Sequence, residues 1–183
     1  MYFQLSEFYK REICFFYDED KNPIPFYDFD EYISKQTIET IFYKVDKIDS
    51  YINQYDILPT SGPLLVSKKF IDSFSKLIKT EIDYFPANIT DDKGITNTDF
   101  FALKINNIIP CFDYENSTYE EVDYDDGEPP SLESIELKIL NNSLRAFSIV
   151  RMLEDPYVII ISSNFKKICE ANKLKGFDFI PLD

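Results

Sequence analysis

The chain has 183 residues, with 33 Asp or Glu against 19 Lys or Arg, a formal net charge of −14, 17 Phe, 13 Tyr, no Trp and no His. Such acidity disfavours direct binding to nucleic acid or to an anionic membrane, both of which need cationic surface. The absence of His excludes Ser-His-Asp and Cys-His catalysis and His-ligated metal sites.

This length carries one domain or a tight pair of subdomains with its own core. Cys14, Cys111 and Cys169 are odd in number and far apart, which points to free thiols in a reducing cytoplasm and not to a disulfide scaffold. The start, Met1-Tyr2-Phe3-Gln4-Leu5-Ser6-Glu7, lacks the charged and apolar regions of a signal peptide. No apolar run approaches the ~20 residues that span a bilayer.

In chain order, Tyr2–Leu5 and Ile13–Tyr17 read as short strands. Lys21-Asn22-Pro23-Ile24-Pro25 is a loop, because two prolines remove two backbone donors. Asp30 to Phe42 has the length of a helix but poor periodicity, whereas Ile41, Tyr43 and Val45 alternate as a strand does. Gly62-Pro63-Leu64-Leu65-Val66-Ser67 predicts a strand ending in a helix cap. The helix then runs Lys68 to Thr80, with Phe70, Ile71, Phe74, Leu77 and Ile78 on one face. A short aromatic strand, Ile82 to Phe85, ends at Pro86. Phe100–Ile105, Ile108–Phe112, Ile135–Leu140 and Ala146–Val150 supply further strands.

Residues 155–181 repeat the pattern of 62–86. A Pro-led apolar strand ends at Ser162, a helix follows through Phe165, Ile168 and Cys169, and Phe177-Asp178-Phe179 forms an aromatic strand. Ser162 or the adjacent Ser163 is the expected N-cap, with Ser162 preferred, and Gly176 the expected C′ residue of that helix. The expected fold class is therefore α+β: two strand–helix–strand units joined by a mostly antiparallel β middle.

Few motifs carry chemistry. The four glycines, at 62, 94, 127 and 176, are too dispersed for a phosphate-cradling loop. With Gly127 at position 6 of a calcium loop, the ligand positions fall on Val122, Tyr124 and Asp126, so the register fails. Ser67 and Ser162 sit in no nucleophile elbow, and capping accounts for both. No catalytic residue, metal ligand or cofactor is assigned. A carboxylate pair of hydrolase type is the alternative reading, since two acids ~5–9 Å apart would suffice.

Charge is concentrated. Residues 105–136 hold ten acids and no base. There Tyr119, Glu120, Glu121, Asp123, Tyr124, Asp125, Asp126 and Glu128 read as a protruding loop. It is either solvated surface or a recognition face in which carboxylates meet Lys and Arg and tyrosines supply rigid contact area.

The chain resembles the immunity-protein-eleven family of bacterial polymorphic toxin systems. The residues that carry the likeness are Tyr55-Asp56-Ile57-Leu58, Leu64-Leu65-Val66-Ser67 with Phe70, Phe100 through Ile105, and the Asp113 region. It continues in Val158-Ile159-Ile160-Ile161-Ser162, Phe165, and Leu174-Lys175-Gly176-Phe177-Asp178-Phe179. The likeness covers about residues 50–183, and the acidic loop departs from the family core. It implies that residues 56–183 form an immunity-type domain; by composition, residues 1–55 read as an aromatic, acidic β-rich segment before it, in one compact unit overall. It also implies a cytoplasmic antitoxin that binds a cognate toxin and is no enzyme. The −14 charge suits a basic toxin such as a nuclease.

Overall fold

The computed structural model describes residues 1–29, 38–122 and 131–182. In chain order the strands begin with β1 (Tyr2–Glu7), β2 (Phe16–Tyr17), β3 (Ile41–Val45), β4 (Ile57–Leu58) and β5 (Leu65–Ser67). Helix α1 (Lys68–Ser73) comes next, then β6 (Ile82–Asp91), β7 (Thr96–Asn97), β8 (Phe100–Ile105) and β9 (Ile108–Ile109). The rest are β10 (Thr118–Val122), β11 (Ser131–Glu136), β12 (Ile149–Met152), β13 (Ile159–Ser162), helix α2 (Ser163–Ala171) and β14 (Phe177–Leu182). Two compact units divide the chain: residues 6–106 with 167–178, and residues 1–5 with 107–166 and 179–183.

The first of these is built on one sheet of order β2-β3-β6-β8-β5-β4, with β7 paired to β6. Its two end strands meet. The Phe15 amide, just before β2, donates to the Pro59 carbonyl, just after β4, at 2.9 Å, and the Ser61 amide donates to the Phe15 carbonyl at 3.2 Å. The sheet thereby closes on itself as a barrel, which leaves no long open edge. Alternate residues fill the interior. Ile41, Tyr43 and Val45, then Phe85, Ala87 and Ile89, then Phe100 and Ala102 join Phe15, Tyr17, Leu58 and Leu65 in one buried cluster. This is the period of two that a strand imposes. Inside the barrel, the Tyr43 hydroxyl donates to the Pro63 carbonyl at 2.8 Å. Gly62 passes so near Tyr17 that a Cβ there would stand 2.8 Å from the Tyr17 Cβ.

One carboxylate ties this unit together. Asp56 is 7% exposed. Its Oδ1 accepts from the Ser67 hydroxyl at 2.7 Å, and its Oδ2 accepts from the Lys175 amide at 2.9 Å. The Lys69 ammonium lies 3.6 Å from Oδ2. The Asp56 amide donates to the Lys175 carbonyl at 2.7 Å, and its carbonyl accepts from the Ser67 amide at 2.9 Å. Ser67 Oγ in turn accepts from the Phe70 amide at 3.1 Å and so caps α1. Ser162 Oγ accepts from the Phe165 amide at 3.3 Å at the start of α2. Gly176 lies beyond the end of α2, where the left-handed residue is Lys173, with φ 51. Gly176 itself has φ 108, and a Cβ on it would stand 2.1 Å from the Ile57 carbonyl oxygen. Glycine is needed there for close approach.

The second unit holds a five-stranded sheet of order β14-β1-β13-β12-β9. β13 runs antiparallel to both β1 and β12, and β9 pairs in parallel with β12. Ile159, Ile160 and Ile161 of the central strand are all buried. β10 and β11 form a separate two-stranded ribbon.

The α+β expectation does not hold: the structure is mostly β, with multiple sheets and two α-helices among the described residues. Nor do the described residues form strand–helix–strand units, because the strands flanking each of these helices are not neighbours. β8 lies between β5 and β6, and β1 lies between β13 and β14. The helix expected through Thr80 stops at Ser73, where Phe74 takes φ −111 and ψ 23. Beyond it the Leu77 carbonyl accepts from the amides of Thr80, Glu81 and Ile82, and Lys79 adopts φ 70. The apolar spacing over Phe74–Ile78 therefore belongs to a curled turn. Ile41–Val45 forms the alternating strand, while residues 30–37 of the helix candidate lie outside the described residues. The strand expected to end at Pro86 continues to Asp91, since Pro86 pairs with Phe101 and Ala87 with Ile41.

Replacing Gly176 by Ala is expected to cost more than about 2 kcal/mol, because both the dihedral and the space are denied. Asp56→Ala is expected to cost about 2–3 kcal/mol through lost hydrogen bonds to a charged group. Ser162→Ala should cost about 1 kcal/mol. Urea midpoints of the three variants check this order.

Candidate functional site

The acidic region begins at a turn organised by one side chain. Asp113 Oδ1 accepts from the amides of Glu115 and Asn116, each at 3.2 Å, and Oδ2 accepts from the Asn116 side-chain amide at 2.8 Å. The Asp113 carbonyl accepts from the Ser117 amide at 2.9 Å, and the Asp113 amide donates to the Lys138 carbonyl at 3.1 Å. Asp suits such a turn because its short carboxylate reaches its own backbone.

The turn leads into the ribbon. Tyr119 pairs with Ser134, Glu120 with Glu133, Glu121 with Leu132 and Val122 with Ser131. A two-stranded ribbon is marginal by itself, so its base needs an anchor. Three rings supply one: Phe112 to Tyr114 at 4.8 Å, Phe112 to Tyr119 at 5.3 Å and Tyr114 to Tyr119 at 5.7 Å, all edge-on. Each such pair adds about 0.5–1.5 kcal/mol beyond its area. Exposure rises across the cluster, from Phe112 at 2% to Tyr114 at 52%.

Tyr119 is thus a half-buried ribbon residue, and Glu120 and Glu121 are exposed beside it. The backbone register puts Glu120 opposite position 133. The expected loop at 119–122 is strand, and Asp123, Tyr124, Asp125, Asp126 and Glu128 lie outside the described residues. Sequence reasoning passed over Tyr114. The Asp113-x-x-Asn116 turn pattern, one residue after Phe112, was the signal available for it.

Several groups show where chemistry is muted. Burial, and then Glu154, pushes the Cys111 thiol up to about 12. Burial, and then Glu170 and Asp56, pushes the Cys169 thiol up to about 12 as well. Cys14 is half-buried, and its thiol is raised by burial and then Glu7. Burial, followed by the hydrogen bond to Asp49, raises the Tyr9 hydroxyl, and burial raises that of Tyr17. Among the described residues, no group of three or more His, Cys, Asp or Glu is placed to hold a metal ion. No described helix is long and apolar enough to cross a membrane. Glu12 and Asp46 line a surface cleft of about 420 Å³ together with Arg11.

The profile of the Immunity protein family (Imm11) matches residues 25–183. The chain belongs to the Imm11 family. The match reaches into residues 25–49, where the sequence motifs gave no likeness. No curated protein matches the chain. Membership in Imm11 supports an immunity role, and an immunity role implies a cognate toxin as partner.

At neutral pH, Ellman's reagent is expected to react with Cys14 first in the folded protein and with all three thiols after unfolding. The buried thiols have folded values above their ordinary 9.0. They therefore contribute stability that is present below pH 9 and lost as pH rises towards about 12. Urea midpoints should fall over that window, and less steeply in a Cys169→Ala variant.

Proposed function

We propose that the protein is a bacterial antitoxin that binds and neutralises a cognate toxin domain, through an acidic, Tyr-rich surface that the ribbon strand β10 begins. The observation that carries this reading is the Imm11 match over residues 25–183. Charge supports the location: residues 105–136 hold ten acids and no base. A surface of one sign speeds capture of a partner of the other sign. The partner is then a basic toxin, nuclease-like in charge, and the antitoxin acts in the cytoplasm of a cell that carries a polymorphic toxin system. It works by occupancy and catalyses no reaction. Tyr119, Glu120, Glu121, Asp123, Tyr124, Asp125, Asp126 and Glu128 are the proposed contact residues.

The test uses this protein as bait for the product of the adjacent upstream gene, at low and high salt. A stoichiometric complex whose association slows about tenfold or more at high salt is expected. A Tyr124→Ala, Asp125→Lys variant should fold normally and bind weakly. A complex insensitive to both salt and this variant would move the interface elsewhere, and failure to capture any toxin would defeat the reading.

A further inference from the structure

Tyr114 is fixed from two sides, by the Asp113 turn and by ring contacts with Phe112 and Tyr119, yet its side chain remains 52% exposed. A second segment reaches the same place. Glu154, in the turn between β12 and β13, accepts from the Cys111 amide at 3.2 Å, and the Leu153 amide donates to the Ile109 carbonyl at 3.1 Å. That turn therefore runs along residues 109–111, which lead to Phe112 and Tyr114. It also presents Leu153 and Tyr157, 55% and 74% exposed.

The Tyr114 hydroxyl is held above its ordinary value by burial first, then by Glu154, Tyr119 and Glu121. Geometry brings both carboxylates to the same neighbourhood: Glu121 follows Tyr119 by two residues and so shares its face of β10, where the Tyr119 ring meets that of Tyr114, and Glu154 accepts from the Cys111 amide, three residues before Tyr114. The neighbouring cations have other partners: Lys138 pairs with Glu136 at 3.3 Å, and the Arg151 guanidinium donates to the Pro156 carbonyl.

We propose that Tyr114, flanked by Glu121 and Glu154, is the seat for an arginine side chain of the bound toxin, with Leu153 and Tyr157 as its apolar rim. The inference rests on the antitoxin reading and adds the chemistry of the contact. A guanidinium can stack on a tyrosine ring while its N–H fork meets a carboxylate, which an ammonium does less well. The ring is already ordered, so little side-chain freedom is lost on binding. Shielding of Phe112 explains why a ring is there. It does not explain a carboxylate on each of the two segments that adjoin this half-exposed ring, with exposed Leu and Tyr on one of them.

The full chain, with labelled tyrosine rings, is titrated with a hexapeptide of alternating Arg and Gly and with its citrulline counterpart. The Tyr114 ring signal is expected to move with the arginine peptide alone. Tyr114→Leu should weaken that binding about fivefold or more. Tyr114→Phe, which keeps the ring, should retain it, as should Phe16→Ala, an exposed aromatic of the other unit. Equal response to citrulline, or an unmoved Tyr114 signal, overturns the proposal. With the upstream gene product as partner, capture that is undiminished by Tyr114→Leu and Glu154→Gln overturns this inference and leaves the antitoxin reading intact. No capture by the unaltered chain defeats that reading instead.

Discussion

Asp56 holds the barrel unit together by joining three stretches of chain that are far apart in sequence. Its carboxylate serves the cap of α1 through Ser67 and the returning strand through the Lys175 amide. Its backbone bonds both neighbours as well. A buried carboxylate is costly unless its lone pairs are satisfied. Here a hydroxyl, an amide and the Lys69 ammonium satisfy them. Gly176 completes the junction, because only a residue without Cβ lets the chain approach the Ile57 carbonyl so closely. From there the chain enters β14 directly.

Closure of the barrel solves a related problem. Strands as short as β2 and β4, two residues each, would fray at the edges of an open sheet. Two backbone hydrogen bonds through Phe15 join those edges, and alternating aromatics fill the inside. The ribbon of the other unit has no such closure and depends on its three-ring base.

Local features were legible in the sequence, and pairings were not. Phe100–Ile105 is a strand to the residue, and Ser67 caps its helix, because alternation and capping are short-range effects. The fold class failed for a long-range reason. Nothing in the order strand–helix–strand reveals that β8 or β1 inserts between the flanking strands. The helix to Thr80 failed because apolar spacing alone cannot distinguish a seventh residue of helix from a curled turn that buries Phe74. At the candidate site, the acidity and Tyr119 were visible as composition. Glu154 reaches the Cys111 amide, 43 positions away in the chain, beside the β9–β12 pairing, which sequence order does not reveal.

The most direct test of the account is hydrogen exchange of the full chain, alone and with the cognate toxin domain. New protection is predicted at residues 112–122 and 153–157, with the barrel strands unchanged. Protection confined to the barrel unit, with the ribbon and the 153–157 turn exchanging as in the free protein, would contradict it.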